Sequence, residues 1–158
     1  MKKIIFVNSE FNQVYVEALH KAAKAYLVAK GKRSDCLETV WVPGALEIPA
    51  VVSRLVESDK VEAIITLGAV IRGETTHYEI VSENCAARIS ELSTFSAAPI
   101  VFGVLTTEND VQMRQRCGML KKDDAISGKS VVENHGEYFA EAALKMIEAL
   151  SKAQELVI

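Results

Sequence analysis

The sequence predicts an α/β protein, a three-layer α/β/α sandwich on a four-stranded parallel sheet. Short apolar, partly β-branched runs alternate four times with longer stretches whose apolar residues recur at helical spacing. One of those runs, AIITLGA over residues 63–69, is apolar without alternation, as in a strand covered on both faces. The chain has 158 residues, 49% of them hydrophobic, which suits one sizeable core and a single domain spanning residues 1–158.

The elements follow in order. Residues 4–7 read as a strand, and residues 13–29 as a helix with Val16, Leu19, Ala23 and Tyr26 at helical spacing, ended by Gly31. Residues 37–42 read as the second strand, 46–56 as a helix and 63–69 as the third strand. A helix over 76–92 carries the apolar stripe Val81, Cys85, Ile89 and Leu92, and Thr76 with Glu79 fits a capping box at its start. Residues 100–105 form the fourth strand, and helical stretches follow over 109–116 and 138–150, the latter with Phe139, Ala143, Met146, Ile147 and Leu150 on one side. Between them, KKDDAISGKS over 121–130 reads as a charged, solvated loop.

Composition narrows the function classes. A formal net charge of −3 and a pI near 5.7 leave no general basic field for nucleic acid. No run of 18 or more apolar residues is present to span a membrane. The apolar run in MKKIIFVNSE is too short for a signal peptide, so a cytoplasmic protein is expected. Cys36, Cys85 and Cys117 are an odd, widely spaced set without C-x-x-C, and are expected to be reduced thiols rather than a disulfide framework or zinc site.

In parallel α/β sheets, ligands sit at the carboxyl ends of the strands. Those ends fall here at residues 8–12, 42–47, 70–77 and 106–109. The third is the most informative. In LGAVIRGETTHYE, over 67–79, a buried strand enters a Gly-Glu-Thr-Thr turn and then a helix with a histidine in its first turn. Gly73, Glu74 and Thr75 are expected to offer backbone N–H groups at the positive end of a helix dipole, a natural phosphate site. His77 stands beside it as a candidate acid/base, although a lone histidine in a helix's first turn is more often structural.

Taken together, Phe11-Asn12, VPGALEIP over 42–49, LGAVIRGETTHYE, FGVLTTEN over 102–109 and Arg116-Cys-Gly118 resemble the 6,7-dimethyl-8-ribityllumazine synthase family over almost the whole chain. The resemblance implies a flavodoxin-like fold. It also implies condensation of 5-amino-6-ribitylaminouracil with 3,4-dihydroxy-2-butanone 4-phosphate to 6,7-dimethyl-8-ribityllumazine, phosphate and water, without metal or organic cofactor. That chemistry passes through a Schiff base, phosphate elimination and ring closure, and needs two held reactants and moved protons rather than a strong nucleophile. Family members assemble as pentamers, some stacking into decamers or sixty-subunit capsids, with active sites between neighbouring subunits.

By resemblance, His77 transfers protons, Phe11 stacks on the pyrimidine, and Ala45, Leu46 and Glu47 line the ribityl chain. Val70 and Ile71 contact the pyrimidine through backbone groups, and Gly73, Glu74 and Thr75 form the phosphate turn. Phe102 from a neighbouring subunit covers the stacked ring, and that neighbour's Arg116 pairs with phosphate through its planar fork. On the residues alone, Phe11 reads first as a strand-end core aromatic and Arg116 by default as a solvated helix charge, while Glu47 has the alternative of a helix-start residue favoured by the dipole.

The chain departs from the common family pattern in two places. Leu46 stands where many members carry an aromatic residue. Most bacterial members follow Arg-x-Gly with a short G-T-K-x-G-N-K-G turn, whereas here a longer segment, residues 119–133, separates Gly118 from Asn134-His135-Gly136. His135 thus stands where lysine is usual, as in fungal members with N-H-G, and supplies a donor without a full charge; Lys129, inside the insertion, is a candidate replacement. Lys121, Lys122, Asp123 and Asp124 are expected to project into water and block contacts between pentamers, favouring a pentamer or face-to-face decamer over a capsid.

Two other readings share the scaffold. A non-catalytic flavin or lumazine carrier would not need the phosphate turn, His77 and Arg116 together. A flavodoxin-like electron carrier or nucleotide-binding module would place its phosphate loop after the first strand, where NSEFNQ has no glycine, and no G-x-G-x-x-G occurs.

Overall fold

A computed structural model describes residues 1–124 and 133–158. Its elements are β1 (Lys3–Ser9), α1 (Gln13–Ala29), β2 (Leu37–Val42), α2 (Ile48–Leu55), β3 (Val61–Ile71), α3 (His77–Phe95), β4 (Ile100–Thr107), α4 (Asp110–Arg116) and α5 (His135–Glu155). The strands form one parallel sheet in the order β2-β1-β3-β4. Alternating side chains divide the apolar residues between two cores. Ile4, Phe6, Ile65 and Leu67 pack with Leu19, Ala23, Phe139 and Ala143 of α1 and α5 on one face. Ile5, Val7 and Ile64 pack with Val52, Val81, Cys85 and Ile89 of α2 and α3 on the other. The result is the three-layer, flavodoxin-like α/β/α sandwich expected, and the covered run in β3 reflects its helices on both sides.

Local chemistry explains where boundaries differ from the sequence reading. Helix α2 starts at Ile48 rather than Leu46, because Pro49 lacks the N–H that would bond the carbonyl of Ala45. Ala45–Glu47 instead forms a single 3₁₀ turn, closed by Glu47 N–H on the Gly44 carbonyl at 3.2 Å. Helix α5 starts at His135, three residues earlier than its periodicity shows. Asn134 caps it by accepting the Gly136 N–H at 2.8 Å, while its amide donates to the carbonyls of Ala18 and Cys117 at 3.1 Å each. A Cβ on Gly136 would lie 2.1 Å from the Leu19 carbonyl oxygen, so glycine there permits the close approach of α5 to α1.

The capping box expected at α3 does not form. Thr76 is the N-cap but its side chain makes no cap hydrogen bond. Glu79 bonds Arg72 instead, because a charged pair outcompetes a single backbone N–H. Asp124, expected to project into water, is also corrected: its side chain is only 8% exposed and pairs with Arg114. Residues 125–132, and with them Lys129 and most of the insertion, lie outside the described residues. The three cysteines are buried and unpaired, and no helix among the described residues is long and apolar enough to cross a membrane.

Candidate active site

The strand order changes direction between β1 and β3: from β1 the chain moves outward to β2, then returns past β1 to β3. Connections diverge at such a point and leave a crevice at the carboxyl end of the sheet. A cavity of about 470 Å³ occupies it. One wall comes from Ser9 and Phe11 after β1 and from Pro43 to Glu47 after β2; the other comes from Ala69, Val70, Ile71, Gly73 and Thr75 of β3 and its turn, with His77, Tyr78 and Val81 of α3.

The loop after β1 is tied on both sides. Glu10 and Phe11 donate their N–H groups to the carbonyls of Val42 and Pro43 at 2.8 and 3.1 Å. Asn12, left-handed with φ 57°, directs its side-chain amide to the Ala69 carbonyl at 2.9 Å. A short amide residue tolerates that conformation, which a β-branched one would not. Phe11 is therefore held at the cavity mouth, 71% exposed as a residue, which excludes the core-aromatic reading.

Glu47 is the N-cap residue of α2 but makes no side-chain cap bond. Its carboxylate lies over Gly44, where a Cβ would come within 2.9 Å of Oε2, and it lines the cavity beside buried Ala45 and half-exposed Leu46. Opposite, β3 outruns β1: their pairing ends at Asn8 and Leu67, while β3 continues along β4 to Ile71 and Thr107. Arg72 donates its N–H to Thr107 on the β4 side, and the Ala69 carbonyl faces Asn12 on the β1 side. By strand alternation the Ile71 backbone N–H and C=O face the space β1 has vacated, whereas those of Val70 face β4. Val70 therefore reaches the cavity through its side chain, not through the backbone groups expected of it.

Gly73, Glu74 and Thr75 are exposed, and among the described residues their N–H groups meet no protein acceptor. The Thr75 hydroxyl accepts the His77 N–H at 3.3 Å. A Cβ on Gly73 would meet nothing within 4 Å and its φ is not left-handed, so the fold itself does not require glycine there. Arg72, in the middle of this motif, is fully engaged: it pairs with Glu79 and with Glu108, the latter at 2.7 Å, and lies 4.3 Å from the centre of the Tyr78 ring. Both carboxylates, Glu79 first, hold its guanidinium above its ordinary pKa, and Arg72 in turn holds the Glu79 carboxyl below the usual carboxylate range.

This arrangement places an exposed aromatic ring, a carboxylate, an unpaired strand edge, a turn with free backbone N–H groups and an imidazole around one cleft. A family model described as 6,7-dimethyl-8-ribityllumazine synthase matches residues 1–151. The chain belongs to the 6,7-dimethyl-8-ribityllumazine synthase family. A protein of that name from Leuconostoc mesenteroides is 41% identical over 155 residues, which cover 98% of this chain and 90% of that relative.

Four site residues that the lumazine synthase resemblance implies do not line this cleft: Glu74, which lies between the lining residues Gly73 and Thr75, and Phe102, Arg116 and His135, which lie away from it. Phe102 projects from the middle of edge strand β4 and is 38% exposed. Arg116, in the last turn of α4, is half-buried and folds a guanidinium nitrogen onto the Gln112 carbonyl at 3.1 Å, so it is not simply a solvated charge. His135, at the start of α5, sets its ring edge-on to Phe139, and its pKa is lowered first by burial and then by Arg116. Arg116 and His135 thus share a corner of the molecule apart from the cleft. Sequence reading gave no role to Asn12, Arg72 or Tyr78. The left-handed backbone at Asn12 and the pairing of Arg72 with Glu79 become visible only in three dimensions.

Proposed function

We propose that the cleft at the β1/β3 switch point performs the family's condensation of 5-amino-6-ribitylaminouracil with 3,4-dihydroxy-2-butanone 4-phosphate. The observation that carries this reading is that one cavity is lined by the exposed, tethered Phe11 on one wall and, on the facing wall, by His77 and the turn at residues 73–75, whose N–H groups meet no protein acceptor among the described residues. The pyrimidine stacks on Phe11 and bonds the free backbone edge at Ile71. Glu47 accepts hydrogen bonds from the ribityl hydroxyls, beside Ala45 and Leu46. The phosphate sits on the N–H groups of Gly73, Glu74 and Thr75 at the start of α3, where the helix dipole favours an anion.

With both substrates held, the amine of one adds to the ketone of the other and water leaves to give the Schiff base. His77 moves protons at the carbonyl oxygen and nitrogen, and at the carbon that loses its proton as phosphate departs. Elimination leaves an enol that takes up a proton at its terminal carbon to become a ketone; the second amine adds to that carbonyl and a second water leaves, closing the ring. Holding the two reactants in contact supplies much of the rate, because it makes a bimolecular condensation effectively unimolecular.

Phe102, Arg116 and His135 lie away from their own chain's cleft, which supports a site completed by a neighbouring subunit in a ring. We assign Phe102 to the open face of the stacked pyrimidine, Arg116 to the phosphate and His135 to a donor beside it. A pentameric ring, or two rings face to face, is the assembly this reading implies.

Mixing inactive subunits tests it. Rings reassembled from His77→Ala and Arg116→Ala chains should regain activity, measured as lumazine fluorescence, because some interfaces then combine an intact His77 with an intact Arg116. No recovery, with mixing verified by mass, would place each site within a single chain.

A further inference from the structure

Helix α4 ends in two arginines with different surroundings. Arg114 is 16% exposed and grips Asp124 with a two-point fork, Nη2 to Oδ1 at 2.5 Å and Nε to Oδ2 at 3.2 Å; it also pairs with Asp110 one turn back. Asp110 in turn accepts the Tyr15 hydroxyl from α1. Asp124 Oδ2 accepts the Lys121 N–H at 2.8 Å, and the Asp124 N–H donates to the Lys121 carbonyl at 3.0 Å, closing a turn. Met119 N–H returns to the Arg114 carbonyl at 2.8 Å. The first residues of the insertion therefore fold back onto α4 and fasten its last turn through a nearly buried ion pair.

We propose that Asp124 is a positioning residue for Arg116: by clamping Arg114 it fixes the last turn of α4 and so the direction in which Arg116 reaches phosphate. This rests on the assignment of Arg116 to phosphate made above. A bidentate pair sets an angle as well as a distance, and burial makes the loss of one partner costly. The clamp also commits Arg114 to two carboxylates and leaves Arg116 bonded only to a backbone carbonyl among the described residues. Asp124 acts in two opposing ways on a bound anion. Its negative charge repels phosphate, and its hold on the helix places the arginine. Arg114, shared with Asp110, offsets only part of that charge, but the two-point fork to Asp124 is what fixes the end of the helix, so the geometric effect dominates.

The test uses the assembled full-length protein and inorganic phosphate as inhibitor. Asp124→Asn should weaken phosphate inhibition and raise KM for the phosphate-bearing substrate by about tenfold, within the range expected for a misplaced binding group. Affinity for the pyrimidine should not change. In an Arg116→Ala background the same substitution should add nothing, because its effect runs through Arg116. An effect that persists there, or weakens both substrates alike, would reduce Asp124 to a fold-holding residue and overturn the proposal. Tighter phosphate binding in Asp124→Asn would show that only its charge matters, and would also overturn it. If Arg116→Ala alone leaves phosphate inhibition intact, the phosphate assignment fails; if Arg116→Ala weakens it but Asp124→Asn does not, only the positioning role fails. Should Asp124→Asn not fold, Asp124→Glu is measured in the same cycle, since its longer arm misaligns the fork while keeping the charge.

Discussion

Gly44→Ala isolates the placement of Glu47 from its presence. The backbone at Gly44, with φ −147° and ψ 175°, is extended and accepts any residue, so the substitution introduces no strain of its own. The added Cβ would stand 2.9 Å from Glu47 Oε2. A relaxed contact is about 3.5 Å, so the carboxylate must retreat by roughly 0.6 Å. A hydrogen bond to a charged group contributes about 1.5–3 kcal/mol, and drawing it out by that distance should forfeit about 1 kcal/mol, roughly fivefold in affinity. Glu47→Ala, which removes the group, should cost roughly 10- to 150-fold by the same scale. The assay is KM for the ribityl pyrimidine at saturating phosphate substrate, with calorimetric Kd as a check. KM for the phosphate-bearing substrate and the melting temperature should stay unchanged. If Gly44→Ala and Glu47→Ala both leave pyrimidine affinity intact, Glu47 does not hold the ribityl chain.

Three further outcomes follow from the same geometry. His77→Ala should slow condensation by about 10²-fold, near the low end for a positioned acid/base, with pyrimidine affinity retained; a wild-type rate would remove His77 from the mechanism. Gly136→Ala forces a Cβ to within 2.1 Å of a helical carbonyl that cannot yield, and should cost about 1–3 kcal/mol by overpacking; a melting temperature unchanged by circular dichroism would show that the contact between α1 and α5 is slack. His135 has its pKa lowered by burial and by Arg116, so folding favours its neutral form. That contribution is complete above about pH 6.5 and is lost as pH falls through the depressed value. In Arg116→Ala the midpoint of the His135 ring protons should rise; no change in the titration followed by NMR would separate the two side chains.

The sheet was legible because covered parallel strands leave uninterrupted apolar runs, and the cleft because parallel sheets present their loops at one end. Side-chain competition was less legible. Glu79 satisfied the spacing of a capping box, yet Arg72 seven residues earlier in the chain took its carboxylate. Asp124 read as solvated within KKDD, but its partner Arg114 sits ten residues away across a turn that no periodicity marks. Strand ends were also underread: β3 runs two residues past the apolar stretch at each end, and that extra length turns the Ile71 backbone toward the cleft while committing that of Val70 to β4. Asn134 and Gly136 entered the sequence reading only as the neighbours of His135, and the structure shows them fastening α5.

The neutralisation of Arg72 bears on turnover. The turn after β3 contains an arginine, yet that arginine is bound to Glu79 and Glu108 and lies along Tyr78. The turn thus meets an anion with amide dipoles alone, without a permanent cation of its own. A reaction that ejects inorganic phosphate in every cycle is slowed by a pocket that retains the ion, since a grip shared by substrate and leaving ion lowers KM without raising kcat. On the proposed placement of the phosphate ester at this turn, amide contacts alone orient it, and release of the freed ion does not require breaking a buried ion pair on this wall.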